Sequence, residues 1–148
     1  FPNVRVLYKA ELRKLPVLVW AFDVAGFVPL ERGNQAQSRP AVDRAALAVR
    51  EGNAFFIFPE GTRSRTQDLL PFKKGGFVLA VDAGVPIVPV SIRGTHAIMP
   101  KRTWIIRPQD VAVEVGEPID TSDCTRATKE ALMERVRAAI RRGVGECG

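Results

Sequence analysis

Ala54-Phe55-Phe56-Ile57-Phe58-Pro59-Glu60-Gly61-Thr62-Arg63-Ser64 is the stretch that decides the fold class. Its apolar run, residues 54–58, is bounded by Gly52-Asn53 and Pro59. Such a run fits a fully buried strand of a parallel sheet, whose two faces are both covered. Toward the N-terminus, Pro40 opens a helix over residues 40–50 with Val42, Ala45, Ala46 and Val49 on one face, ending at Glu51-Gly52. Further out, residues 4–8 read as a short β segment, 16–25 as an apolar helix with Gly26 at its C-cap, 27–30 as extended chain, and 31–39 as a polar loop. On the other side a polar loop runs through Asp68, and Gly75-Gly76 introduces a helix over 77–83 that Gly84 stops. Residues 86–92 form another buried strand, 111–115 an alternating strand, and about 125–142 a last helix. Leu132, Val136, Ala139 and Ile140 make its apolar stripe, with Arg141-Arg142 in the final turn. The β-α-β-α-β rhythm predicts an α/β fold: a single domain with a mixed, largely parallel sheet, helices on its faces, and ligand chemistry at the loops leaving the strand ends.

Composition agrees with one folded domain: 148 residues with 46% hydrophobic and 26% charged side chains suffice for a real core and exclude bulk disorder. The formal charge of +6 suits an anionic partner, whether nucleic acid, a phosphorylated small molecule or a lipid headgroup. A solvated basic surface would give the same charge, so charge alone does not choose. Cys124 and Cys147 argue against a disulfide framework and for a reducing compartment. One His and two distant Cys predict no metal site, and Gly75-Gly76 lacks the spacing of either nucleotide fingerprint. Phe1-Pro2-Asn3 shows no Met, basic n-region or apolar h-region, and is expected to be a truncation point. The apolar stretch 15–30 is broken by Pro16, Asp23 and Pro29 and is shorter than the roughly 20 residues a spanning helix needs. The helix over 16–25, carrying Leu18, Trp20, Ala21 and Phe22, is either core or a face that docks on a bilayer.

Residues 58–64 gather a carboxylate, a flexible Gly, a hydroxyl and a guanidinium at a strand end. Arg63 offers a planar fork that matches two phosphate oxygens, Gly61 lets the backbone approach, and Thr62 adds a directed donor. Arg65, Lys73 and Lys74 add positive charge to the same loop. The structural alternative is a charged turn held by an internal Glu60–Arg63 pair.

This block resembles the F-P-E-G-T-R-S motif of the 1-acyl-glycerol-3-phosphate acyltransferase family, and three further segments follow the family's order. Lys9-Ala10-Glu11-Leu12 is similar to its K-x-E-L segment, Gly26-Phe27-Val28-Pro29-Leu30-Glu31-Arg32 to its second block, and Val85-Pro86-Ile87-Val88-Pro89-Val90 to its fourth. The resemblance covers Lys9 to about Pro118; residues 119–148 form a C-terminal helix and tail without a motif, at the end of a domain spanning 1–148. It implies acyl transfer from acyl-CoA or acyl carrier protein to the free hydroxyl of lysophosphatidate, giving phosphatidate, with no further cofactor. The substrate-binding set it implies is Arg32, Glu60, Gly61, Thr62 and Arg63 with Lys9 and Lys73, while Pro89 shapes the pocket. It also implies work at a membrane surface, on the cytoplasmic face, peripheral or anchored by a segment outside this chain.

The family's H-x-x-x-x-D block, in which His takes the acceptor proton and Asp orients the His, has no counterpart here. The only histidine, His96, is followed five positions later by Lys101 and is expected in a loop, so these residues as they stand are expected to be inactive. A non-catalytic phospholipid-binding module on the same fold is the alternative. Nucleic-acid binding is opposed by scattered Arg residues and the lack of an aromatic-rich strand.

Overall fold

The structure is a computed structural model describing residues 4–9, 14, 16–25, 27–30, 43, 45–62, 64, 66, 68–98 and 105–145. It resolves into two compact units, Phe1–Ile57 and Phe58–Gly148, mixed in helix and strand.

In the first unit β1 (Val4–Lys9) lies between β2 (Val28–Leu30) and β3 (Ala54–Phe56), parallel to both. Leu7 is in register with Val28, and Val4 with Ala54. Parallel neighbours require crossover connections. Helix α1 (Pro16–Val24) lies in the first of these, and α2, helical over residues 45–50, in the second. Ala45 and Ala46 of α2 are buried and Val49 half-buried, which is the stripe the sequence predicts; Val42 lies outside the described residues. The helix ends as its Gly suggests. Gly52 takes φ 91°, its N–H donates to the Val49 carbonyl, and the Asn53 backbone and side-chain amides both donate to the Ala48 carbonyl.

Of the two readings of the helix over 16–25, the exposure of Trp20 at 70% and Val24 at 72% speaks against a wholly buried core helix. One expectation needs correction. The run 54–58 is not a fully buried strand: β3 stops at Phe56, its residues are half-buried, and Phe58 is 62% exposed. The cause is local. The Gly61 N–H donates to the Phe58 carbonyl at 3.1 Å, so the chain is already turning where Pro59 has no donor to give a ladder.

The second unit is built on α3 (Gly75–Ala83), β4 (Val90–Arg93), the short α4 (Thr95–Ile98), β5 (Ala112–Val115) and α5 (Lys129–Val144). Gly84 at φ 67° caps α3. Strand β4 pairs antiparallel with β5, Val90 opposite Val115 and Arg93 opposite Ala112, and a bridge from Ile87 to Ile119 extends the pairing. Among the described strands the parallel part of the mixed α/β fold is therefore the β2-β1-β3 sheet, and the strand expected over 86–92 is shorter and antiparallel. The α5 stripe fills the core: Leu132, Val136 and Ile140 are buried with Phe72 and Phe77. Helix α5 also docks on β4, where the buried Ser91 hydroxyl donates to the Ile140 carbonyl at 3.0 Å. It starts later than position 125 because Thr125 and Thr128 exchange side-chain and backbone bonds in a turn ahead of it. Before that turn the buried Thr121 hydroxyl donates to the Val85 carbonyl, and Arg126 forks onto Asp82 of α3 with bonds of 2.7 and 2.6 Å.

Candidate active-site loop

The segment from Pro59 to Lys73 is a loop tied at its neck, where the Lys73 N–H donates to the Pro59 carbonyl at 2.7 Å. Inside the neck, Oε2 of the half-buried Glu60 accepts the Leu70 N–H at 3.1 Å. Gly61 takes φ 70°, a left-handed conformation that a side chain would strain, and this reverses the chain just ahead of Thr62. The middle of the loop is a ladder of hydroxyls: the Thr66 N–H donates to Ser64 Oγ at 3.2 Å, and the Asp68 N–H to Thr66 Oγ1 at 3.3 Å. Ser and Thr hydroxyls mimic a backbone turn in this way and give the loop form without regular structure.

A residue from α5 holds the far arm of the loop. Arg137 donates from Nη1 to the Leu70 carbonyl and from Nη2 to the Leu69 carbonyl, each at 2.9 Å, and its guanidinium lies 5.3 Å from the centre of the Phe72 ring. Phe72 in turn stacks on Phe77 in the core, ring centres 6.1 Å apart. Beside this contact lies an open groove of about 260 Å³ formed by Pro71, Phe72, Met133, Glu134 and Arg137, which contains no residue of the expected substrate set. Nothing in the sequence singles out Arg137, because its partners lie 67 and 68 positions away.

The expected site residues divide as follows. Glu60, Gly61, Thr62 and Lys73 share the closed loop, with Thr62 and Lys73 exposed to solvent. Glu60 turns its Oε2 to the loop's own backbone, and the proposed Glu60–Arg63 pair is untested because Arg63, like Arg32 and Arg65, lies outside the described residues. Lys9 is the last residue of β1. Pro89 is buried at the foot of β4, its carbonyl accepting the Gly116 N–H at 2.9 Å. Lys74 contributes less free charge than the sequence suggests, since it bonds Glu130 at 3.0 Å. That bond, then the Glu130 backbone amide and the Lys129 side chain, draws the Glu130 carboxyl down from its ordinary 4.5 to about 2. His96 sits exposed on α4, a short helix and not the loop expected for it. Among the described residues no group of three or more His, Cys, Asp or Glu is placed to hold a metal ion, and no helix is long and apolar enough to cross a membrane.

Comparison with known proteins places this geometry in context. Residues 1–93 match the family model described as Acyltransferase. A chloroplastic 1-acyl-sn-glycerol-3-phosphate acyltransferase of Brassica napus is 38% identical over 130 residues, which is 87% of this chain and 38% of that protein. The 1-acyl-sn-glycerol-3-phosphate acyltransferase of Saccharomyces cerevisiae is 32% identical over 139 residues, 92% of this chain and 46% of the relative. The chain thus spans less than half the length of these two relatives. Among solved structures, the 1-acyl-sn-glycerophosphate acyltransferase of Thermotoga maritima superposes with a TM-score of 0.79 at 34% identity, covering 97% of this chain and 56% of that one.

Proposed function

The chain belongs to the acyltransferase family, and from that premise we propose that it forms the acceptor-binding part of an enzyme that esterifies 1-acyl-glycerol-3-phosphate to phosphatidate. In that reaction the acceptor hydroxyl oxygen attacks the carbonyl of an acyl thioester. The carbon–sulfur bond breaks and the acyl group becomes an ester; the hydroxyl proton passes to a base and from it to the departing thiolate, which leaves as the thiol of coenzyme A or of acyl carrier protein. The single observation that carries the proposal is the loop over residues 58–64: it holds the family's motif, reverses at Gly61, and is held closed by Glu60 and by the Lys73–Pro59 bond.

The resemblance to the family supports giving the acceptor phosphate to Arg63, Arg32 and Gly61, with Glu60 and Thr62 in the same acceptor-binding block and Lys9 and Lys73 in the substrate set. In these roles a guanidinium gives two parallel bonds to phosphate oxygens, whereas an ammonium gives a point charge. The base would be the His of an H-x-x-x-x-D block, which these residues do not contain. Pro89, buried and packed against Gly116, suits a wall more than a contact with the reacting atoms. A membrane surface is the natural site of work for a lipid acceptor, and exposed Trp20 and Val24 on α1 give an apolar face to meet it. Flotation with anionic vesicles checks this: binding that survives Trp20→Ala with Val24→Ala would remove α1 from the contact.

The test of the function is Arg63→Lys in an enzyme joining this chain to an H-x-x-x-x-D segment, with each substrate varied in turn. The acceptor KM should rise, or kcat/KM for the acceptor fall, while the donor constant stays nearly unchanged. An unchanged acceptor constant with a lowered melting temperature would assign Arg63 to an internal pair and end the proposal.

A further inference from the structure

We propose that Arg137 of α5 is a positioning residue for the phosphate-binding loop. The inference rests on the function proposed above, in which that loop takes the acceptor phosphate. Its ground is the treatment of one residue, Leu70, whose two backbone polar groups are both held by side chains. Glu60 Oε2 takes the Leu70 N–H at 3.1 Å, and Arg137 Nη1 donates to the Leu70 carbonyl at 2.9 Å. A chain of contacts therefore runs from α5 through Leu70 to the carboxylate of Glu60, the residue next to Gly61. The second Arg137 bond, Nη2 to the Leu69 carbonyl at 2.9 Å, fixes the preceding peptide, and the guanidinium over Phe72 anchors the clamp to the core.

The geometry uses properties that only Arg has. Two donors of one planar fork reach two successive carbonyls, while its central carbon lies 5.3 Å from the centre of the Phe72 ring. A Lys at this position reaches one carbonyl at a time. An apolar Met keeps the length of the stem and its packing on α5 but gives no donor. The buried stripe of α5 is made by the apolar side chains Leu132, Val136 and Ile140, and Arg137 is not one of its members. Loss of the clamp should free the loop without unfolding the helix.

The experiment compares the unaltered chain with Arg137→Met, Arg137→Lys and, as a stability control, Val136→Ala, which cuts the buried core beside the clamp. Amide hydrogen exchange reads the loop at Leu70 and Lys73. Calorimetric titration with 1-hexanoyl-glycerol-3-phosphate, kept below its micelle concentration, reads the site. Arg137→Met should speed exchange at both amides roughly tenfold and weaken the probe by a similar factor, since loss of two charge-assisted bonds is worth at least that much. Arg137→Lys should recover part of both. Val136→Ala should lower the melting temperature, speed exchange along α5, and leave probe affinity near that of the unaltered chain. Three results would overturn the proposal: loop exchange unchanged in Arg137→Met, a freed loop with unchanged affinity, or an equal loss of affinity in Val136→Ala. Absence of binding by the unaltered chain overturns the lysophosphatidate function itself, and the exchange arm, which needs no ligand, tells that failure from failure of the clamp.

Discussion

Replacing Glu60 separates two accounts of the loop, and the structure sets the size of each effect. Oε2 of Glu60 accepts the half-buried Leu70 N–H at 3.1 Å, and Glu60 itself is half-buried. A hydrogen bond to a charged acceptor contributes about 1.5–3 kcal/mol and a neutral one about 0.5–1.5 kcal/mol. With Glu60 only half-buried, the lower part of the charged range applies. Glu60→Ala removes the acceptor and strands the amide, so about 1.5–2 kcal/mol of stability should go. Glu60→Gln keeps an oxygen at the same reach and loses only the charge, a cost of about 1 kcal/mol or less. For a chain of this size 1 kcal/mol moves the melting temperature by roughly 2–4 °C, so the two variants should be separable in a melt. Circular dichroism gives the melting curve, and amide exchange at Leu70 reports the bond itself. Exchange at Leu70 should rise in Glu60→Ala and much less in Glu60→Gln. If instead both substitutions cost the same, and the cost disappears in high salt, the carboxylate acts through an ion pair with Arg63 and the loop assignment is wrong.

Other outcomes follow from neighbouring geometry. A Cβ added at Gly143 of α5 would lie 2.3 Å from Ser91 Oγ and 2.7 Å from Ser91 Cβ, so Gly143→Ala must push α5 off β4. Overpacking costs roughly 1–3 kcal/mol, of which the better helix propensity of Ala returns about 1, for a net loss of up to about 2 kcal/mol in a urea titration. Adding Ser91→Gly should recover part of that loss, and strict additivity would refute the steric account. At Gly61, φ 70° makes Ala cost about 1–2 kcal/mol relative to Gly, with Asn costing less, and equal melting temperatures for all three would show that the turn is not left-handed. Glu130 gives the pH dependence: its folded value of about 2 lies below the ordinary 4.5, so its stabilisation is complete above about 4.5 and is lost as pH falls toward about 2. Urea midpoints of Glu130→Gln and the unaltered chain should converge over that fall, and a gap that widens toward acid would reverse the assignment.

The motif, the class of fold and the apolar stripes were legible in the sequence because each is a short-range pattern. Gly61 beside Glu60 announces a sharp turn, Gly52 and Gly84 end helices with φ 91° and 67°, and the Leu132, Val136 and Ile140 stripe is the helical period itself. Tertiary structure alone decided what these elements do with one another. Antiparallel pairing of β4 with β5 depends on a chain return that no local pattern encodes. The carboxylate of Glu60, which by type could face a ligand, spends an oxygen on Leu70 ten residues along, and the charge of Lys74 is taken up by Glu130. Arg137 is the extreme case: on its own helix it is one more cation beside the apolar stripe, and only the fold brings it to the carbonyls of Leu69 and Leu70. Periodicity and turn chemistry act over a few residues and are written in the chain, whereas the partner of a long charged side chain is fixed only when packing brings distant backbone within its reach.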